Sequence, residues 1–261
     1  MIVVYALFGL IVGAAVNLLG DQLPRWRRVL RRPFCSACQA PRPARAGLGT
    51  LAYLTGAARC PTCGTRVPLR HPLVELGTAA LFAFLWVRYG QTGEAVLLLL
   101  YTLYSTILIL VLVIDLEHKL ILTVVMYPAA IVALLGSLIH PTPYFWRLAL
   151  IGGALGFGIL YLVYWMGELF VKVMSRARGK DINAVAFGYG DVRLGGFLGL
   201  ILGFPDVLNA IFYAVLLGGL AGLIYWLIRA VVLRNYSLFT AIPYGPFLVA
   251  GGMAMMFFGS G

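Results

Sequence analysis

Charge is scarce in this chain. Of 261 residues only 11% are Asp, Glu, Lys or Arg, and just nine are acidic. Such a sequence cannot clothe a soluble surface. With hydrophobic residues at 62% and a mean hydropathy of +0.95, it reads as an all-α polytopic membrane protein. Cysteine is as sparse: there are four, all between positions 35 and 63. The three histidines form no HExxH pattern, and no glycine-rich loop joins a strand to a helix, so the usual signatures of a zinc hydrolase and of a phosphate-binding loop are both missing. A basic stretch before the first apolar run is missing too. Arginines follow that run instead, the reverse of a cleavable signal peptide, so residues 2 to 19 are expected to be a retained anchor.

Apolar runs place about eight transmembrane helices near 2–20, 72–89, 95–114, 120–140, 146–172, 192–204, 207–228 and 242–258, the sixth short and broken by glycine. The distribution of Lys and Arg orients them. With the N-terminus outside, 18 of the 20 basic residues fall in inside loops: ten Arg in 21–71, Lys119, the group Lys172, Arg176, Arg178, Lys180 and Arg193, then Arg229 and Arg234. Only Arg88 and Arg147 lie outside. Both termini are therefore expected outside. The net charge of +11 reports topology before it reports ligands, and no nucleic-acid partner is expected. Three segments result: a first helix over 1–20, a cytoplasmic loop over 21–71, and a membrane domain over 72–261.

Two acids stand out. Asp191 follows Gly188 and Gly190 at the mouth of an apolar run, and Asp115 closes another. An ionised Asp at the bilayer centre costs about 3 kcal/mol or more, so such acids usually face a protein interior or a water-filled cavity and mark function. A single Asp here reads equally well as a polar helix cap. Two at the cytoplasmic ends of spans three and six can meet. One ionised carboxylate acting as base on a water, with one protonated carboxyl acting as acid toward a carbonyl, is the requirement for peptide hydrolysis. A shared proton supplies that division, and either aspartate can take either part.

The cysteines form Cys35-x-x-Cys38 and Cys60-x-x-Cys63. That is zinc-ribbon spacing, each knuckle delivering two thiolates to one tetrahedral ion. Disulfides are the alternative, but the topology puts the loop in the reducing cytosol. A closed four-thiolate site makes the zinc structural rather than catalytic. Pro41, Pro43, Gly47 and Gly49 between the knuckles predict a small loop-rich subdomain. Its arginines suit either anionic headgroups or a topology signal. Asn17 reads as a helix–helix hydrogen bonder. Glu75, just after His71-Pro72, either complements a helix N-terminus or belongs to a site. Glu168 reads as a hydrogen bonder in the bundle interior or a substrate contact. The runs Gly152-Gly153-x-x-Gly156-x-Gly158 and Gly218-Gly219-x-x-Gly222 predict close helix packing.

In this order the motifs resemble the bacterial prepilin peptidases, the type IV leader peptidases of the GxGD aspartyl class, over nearly the whole chain. The blocks that carry the resemblance are Asn17 to Pro24, the double CxxC loop running into His71-Pro-Leu-Val-Glu75, Ile114-Asp115, Gly188-Tyr-Gly-Asp191, and Ile242-Pro-Tyr-Gly-Pro-Phe-Leu248. The resemblance implies an inner-membrane enzyme of type IV pilus or type II secretion systems. It would cleave the basic leader from prepilin or pseudopilin precursors at the cytoplasmic face and then methylate the new N-terminus with S-adenosylmethionine. Asp115 and Asp191 would be its catalytic pair, with Glu75 and the zinc loop tied to methyl transfer. Three departures stand against the family pattern. Ile121-Leu122-Thr123 replaces an Ile-Pro-Asn-like triplet, Arg193 a lysine, and Ala14 a small polar residue. A peptidase without methyltransferase activity, a proton-coupled transporter and an inactive zinc scaffold are the competing readings. Against the transporter, both aspartates sit at one face rather than at the midplane.

Overall fold

The computed structural model describes residues 1–25, 35, 37–38, 40, 47–178, 188–228 and 243–259. Pro41 and Pro43, most of the arginines before Cys35, and Lys180, Arg229, Arg234 and Ile242 lie outside the described residues. Within them the chain is helical. Its only β pairing is an isolated antiparallel bridge between Arg59 and Arg66. The helices are α1 (Ile2–Gln22), α2 (Gly49–Leu54), α3 (Arg70–Leu85), α4 (Ala95–His118), α5 (Thr123–Leu138), α6 (Phe145–Arg178), α7 (Tyr189–Leu202), α8 (Asp206–Ile228) and α9 (Gly245–Phe258). A wider turn, Trp86–Gly90, continues α3.

Five of these are long and apolar enough to cross a membrane: α1, α3 with its continuation, α4, α6 and α8. Shorter apolar helices are α5 and α9. The expected helical membrane protein is thus the one observed, a multi-pass protein whose apolar runs each became a helix. α7 begins at Tyr189, three residues before its apolar run, because Gly188 in extended conformation serves as its N-cap. That start draws Asp191 into the helix's first turn.

The chain divides into two compact units, Met1–Ile114 and Asp115–Gly261. In the first, α1 lies backbone-close to α3: a Cβ on Gly9 would come within 2.9 Å of Ala79 Cα, and one on Gly13 within 2.7 Å of Glu75 Cα. Asn17 Nδ2 donates to the His71 carbonyl at 3.0 Å, the interhelical bond its sequence position predicts. Tyr5, Phe82 and Trp86 stack at the other end of the pair.

In the second unit α7 is the central element, packed by α5, α6, α8 and α9, with Val192, Leu194, Phe197 and Leu198 buried. Its seam with α6 is glycine against glycine. Cβ atoms on Gly152 and Gly156 would run into the Gly199 and Gly195 carbonyls. The first glycine-rich stretch is therefore a packing surface that lets two backbones touch. The second behaves differently: Gly218 meets Tyr244 and Phe247, while Gly219 and Gly222 have nothing within 4 Å. Exposed Leu216, Leu220, Leu223 and Trp226 on the same helix suit a lipid-facing surface.

This contrast predicts opposite outcomes for one added methyl group. Gly199→Ala should destabilise the protein by about 1–3 kcal/mol through overpacking. Gly219→Ala should be neutral or stabilising by up to about 1 kcal/mol through helix propensity. Thermal unfolding of the two variants in one detergent checks the difference in sign.

Candidate active site and metal centre

The four cysteines converge. Their Sγ atoms lie within 4.8 Å of one another, Cys35 to Cys63 at 3.5 Å and Cys38 to Cys60 at 3.7 Å. All four are free thiols. A tetrahedral ion with bonds of about 2.3 Å sets sulfur atoms about 3.8 Å apart, so this donor set fits a metal. The second knuckle has a tight backbone. Gly64 N–H donates to the Cys60 carbonyl and Cys60 N–H to the Thr65 carbonyl, both at 2.9 Å, with Gly64 at φ 71°, a conformation that favours glycine.

A chain of contacts ties this knuckle to a membrane helix. Val67 N–H donates to the Ala58 carbonyl, closing the knuckle. Tyr53 of α2 donates its hydroxyl to the Val67 carbonyl at 2.6 Å. The start of α2 is in turn held by Glu75 of α3. The Gly49 N–H, the Thr50 N–H and the Thr50 hydroxyl each donate to its carboxylate at 2.7 Å. Glu75 is fully buried. It does complement a helix N-terminus, though that of α2 rather than its own, a relation that becomes visible only once the loop is folded. Beside it Asp21 pairs with Arg70 and lies 3.5 Å from His71, while Asn17 Oδ1 is buried with no hydrogen-bond partner.

The second unit brings Asp115 and Asp191 together. Asp115 lies in the last turn of α4 and Asp191 in the first of α7; both are buried, at 5% and 9% exposure. Ile121 packs against both Gly190, beside Asp191, and Gly245, beside Asp115, so the two acids share one neighbourhood, in which the Asp115 charge acts on Asp191 and that of Asp191 on Tyr244. Three glycines make the room. A Cβ on Gly188 would press on Asp191 Oδ2 at 3.2 Å, one on Gly190 would meet Ile121 Cβ at 2.7 Å, and one on Gly245 would occupy the place of Asp115 Oδ2. The two glycines of the GxGD motif thus have separate duties, one beside the carboxylate and one against the chain leaving α4. Asp115 Oδ2 is buried without a hydrogen-bond partner. A buried acid with a bare oxygen, facing a second acid, can bind and activate a polar substrate atom or a water.

Sequence reasoning did not find Gly245, Tyr244 or Ile121 as site neighbours, although the Pro243–Leu248 block that holds two of them was a visible motif. Glu168 is elsewhere. It is 48% exposed and paired along α6 with Lys172 at 3.6 Å and the Tyr164 hydroxyl at 3.2 Å, so it does not face the bundle interior. His140 stacks on Phe145 in the loop before α6.

The type IV leader peptidase family model matches residues 102–227, and the bacterial peptidase A24 N-terminal domain model matches residues 7–89. A prepilin leader peptidase/N-methyltransferase of Pseudomonas putida is 30% identical over 95% of this chain and 88% of its own length. The chain belongs to the type IV leader peptidase family. A second prepilin leader peptidase/N-methyltransferase, from Bacillus subtilis, is 27% identical over 99% of this chain and 95% of its own length. A third, from Pseudomonas aeruginosa, is 28% identical over 96% and 88%. No solved structure matches. Asp115 and Asp191 fall within the first of these matched regions and the four cysteines within the second.

The Glu75 contacts carry their own prediction. Charge-assisted hydrogen bonds to a buried carboxylate contribute about 1.5–3 kcal/mol. Glu75→Gln should therefore speed amide hydrogen exchange at Gly49 and Thr50 roughly ten- to hundredfold. Exchange in the middle of α4 should stay unchanged.

Proposed function

We propose that this protein is an aspartic endopeptidase of the bacterial inner membrane. It cleaves the basic leader from prepilin or pseudopilin precursors and then methylates the new N-terminal amine with S-adenosylmethionine. The observation that carries the first activity is Asp115 Oδ2, buried and unbonded beside a second buried carboxylate. The names of the full-length relatives support both. In this reading both termini lie outside and the aspartates face the cytoplasm, the orientation favoured by 18 of 20 basic residues.

The hydrolysis follows from two carboxylates sharing one proton. The ionised partner takes a proton from water as its oxygen adds to the scissile carbonyl. The protonated partner gives its proton to the carbonyl oxygen. Collapse of the tetrahedral intermediate breaks the C–N bond as the second carboxylate takes back a proton from a gem-diol hydroxyl and the leaving amine receives one from the first carboxyl, so the pair returns to a single shared proton. Gly188 and Gly245 leave room for the two carboxylates themselves, and Gly190 for Ile121 beside them.

For methyl transfer, Cys35, Cys38, Cys60 and Cys63 would hold one structural zinc ion that orders the loop. S-adenosylmethionine supplies the methyl group when bound, and Asn17 Oδ1 offers a buried acceptor to the amine or hydroxyl groups of that donor. Glu75 contributes by anchoring Gly49 and Thr50, and through Tyr53 the second knuckle. The names of the relatives favour this two-activity reading over a peptidase lacking the second activity.

Two experiments test these assignments. Asp115→Asn and Asp191→Asn should each lower leader cleavage by about 10²–10⁴-fold or more, since Asn keeps the volume but cannot exchange the proton. Gly245→Ala should lower it about a hundredfold by displacing the Asp115 carboxylate. Near-normal cleavage by either Asn variant would remove that residue from the pair. For the second activity, purified protein should carry about one zinc per chain. Mass spectrometry of the processed precursor should find a product lighter by the leader and heavier by one methyl group. With Cys60→Ser and Cys63→Ser together, the product should be lighter by the leader only. A wild-type product that never carries the methyl group would leave a peptidase alone.

A further inference from the structure

Thr123 and Arg193 lie 70 residues apart in sequence and touch in the fold. Arg193 Nη1 donates a hydrogen bond to Thr123 Oγ1. The same guanidinium lies over the rings of Tyr189 and Tyr127, 4.8 and 5.5 Å from their centroids. Tyr189 opens α7, whereas Thr123 opens α5 and Tyr127 sits one turn further along it. Arg193 therefore leaves α7 and is held by two rings and a hydroxyl from the starts of two helices. Among the described residues it forms no ion pair with Asp191, two positions before it.

What that grip fixes is the short connection 119–122 that leaves Asp115. The connection starts sharply, with Lys119 at φ 52°. It is then pinned twice on α7. Ile121 fills the space that a side chain at Gly190 would need, and Thr123 is bonded by Arg193. The two pins flank Asp191 in sequence, at positions 190 and 193, and they hold the segment that begins four residues after Asp115. A shift of α5 along α7 would carry the end of α4 with it and change the separation of the two carboxylates.

We propose that Arg193 and Thr123 act as a coupled positioning pair that sets the register of α5 on α7, and with it the spacing of Asp115 and Asp191. The proposal rests on the peptidase reading of those aspartates. A lysine at 193 would present a single ammonium and stack poorly, and an Asn at 123 would offer it a longer side chain carrying a carbonyl oxygen. Arg with Thr spans the gap the other way, long donor to short acceptor. Replacing one member alone leaves the bond too long or too crowded.

The test is a cleavage assay with purified full-length protein and a pilin-like precursor. Misplacing catalytic groups by about 1 Å costs about a hundredfold, so Arg193→Ala should lose about that much kcat with little change in KM. Arg193→Lys and Thr123→Asn should each lose activity, and the double variant Arg193→Lys with Thr123→Asn should recover most of it. A merely structural loss at either position would not be rescued by damaging the other. If wild-type protein does not cleave, the peptidase reading fails and this proposal falls with it. If wild-type protein cleaves and Arg193→Ala cleaves as fast, the positioning pair alone is refuted. Should Arg193→Ala fail to accumulate, the lysine variants decide: a double variant no faster than Arg193→Lys overturns the coupling.

Discussion

A carboxylate buried in an apolar bundle persists only where something answers its charge or its hydrogen-bonding capacity, and among the described residues four acids are buried: Glu75, Asp115, Asp191 and Asp206. Their answers differ. Glu75 has three donors at 2.7 Å. Asp206 opens α8 and Asp191 stands in the first turn of α7, where the helix dipole favours an anion. Asp115 stands in the last turn of α4, where the dipole disfavours one, and its Oδ2 has no partner. Stability gives no reason for an acid at that position. The proposed reaction would supply one, and the rest of the second unit packs around this ill-placed group.

That apparatus is built largely from missing side chains. Gly195 and Gly199 let α7 touch α6 backbone to backbone, Gly251 brings α9 against Ala210 of α8, and Gly245 leaves the space that the Asp115 carboxyl fills. In lipid no hydrophobic force drives helices together, so close packing of this kind has to supply both affinity and precision. The outward faces of α6 and α8 keep exposed Leu, Val, Phe and Trp, as a surface facing acyl chains should.

The fold was legible because its signals are long: each apolar run became a helix, and each CxxC fixed two ligands of one cluster. Local motifs also marked Asp115 and Asp191. The contacts that define the site were not legible, since they join residues with no common period. Gly245 meets Asp115 across 130 positions of chain, and Glu75 reaches back to Gly49 and Thr50. Glu75 and Glu168 show how far a position in the sequence can mislead. Both sit in apolar runs, yet one is sealed under a loop and the other is exposed at 48% and pairs along its own helix. Hydropathy cannot separate these cases, because it does not record which face of a helix its neighbours cover.

Chemistry divides along the chain as the units do. The thiol cluster and Glu75 fall within Met1–Ile114, and the aspartates, their glycines and Arg193 within Asp115–Gly261. Each unit keeps its order by a different means. The first gathers four cysteines placed to hold one cation, a bond set that would form only when the thiols lose their protons and a metal arrives. The second depends on backbone contacts and one gripped guanidinium, neither of which needs a cofactor. Removing the metal attacks only the first of these. In the proposed reading, peptide cleavage would rest on groups whose geometry does not wait on the loop, while any chemistry that needs Gly49, Thr50 and the knuckle in place would wait for the ion that orders them.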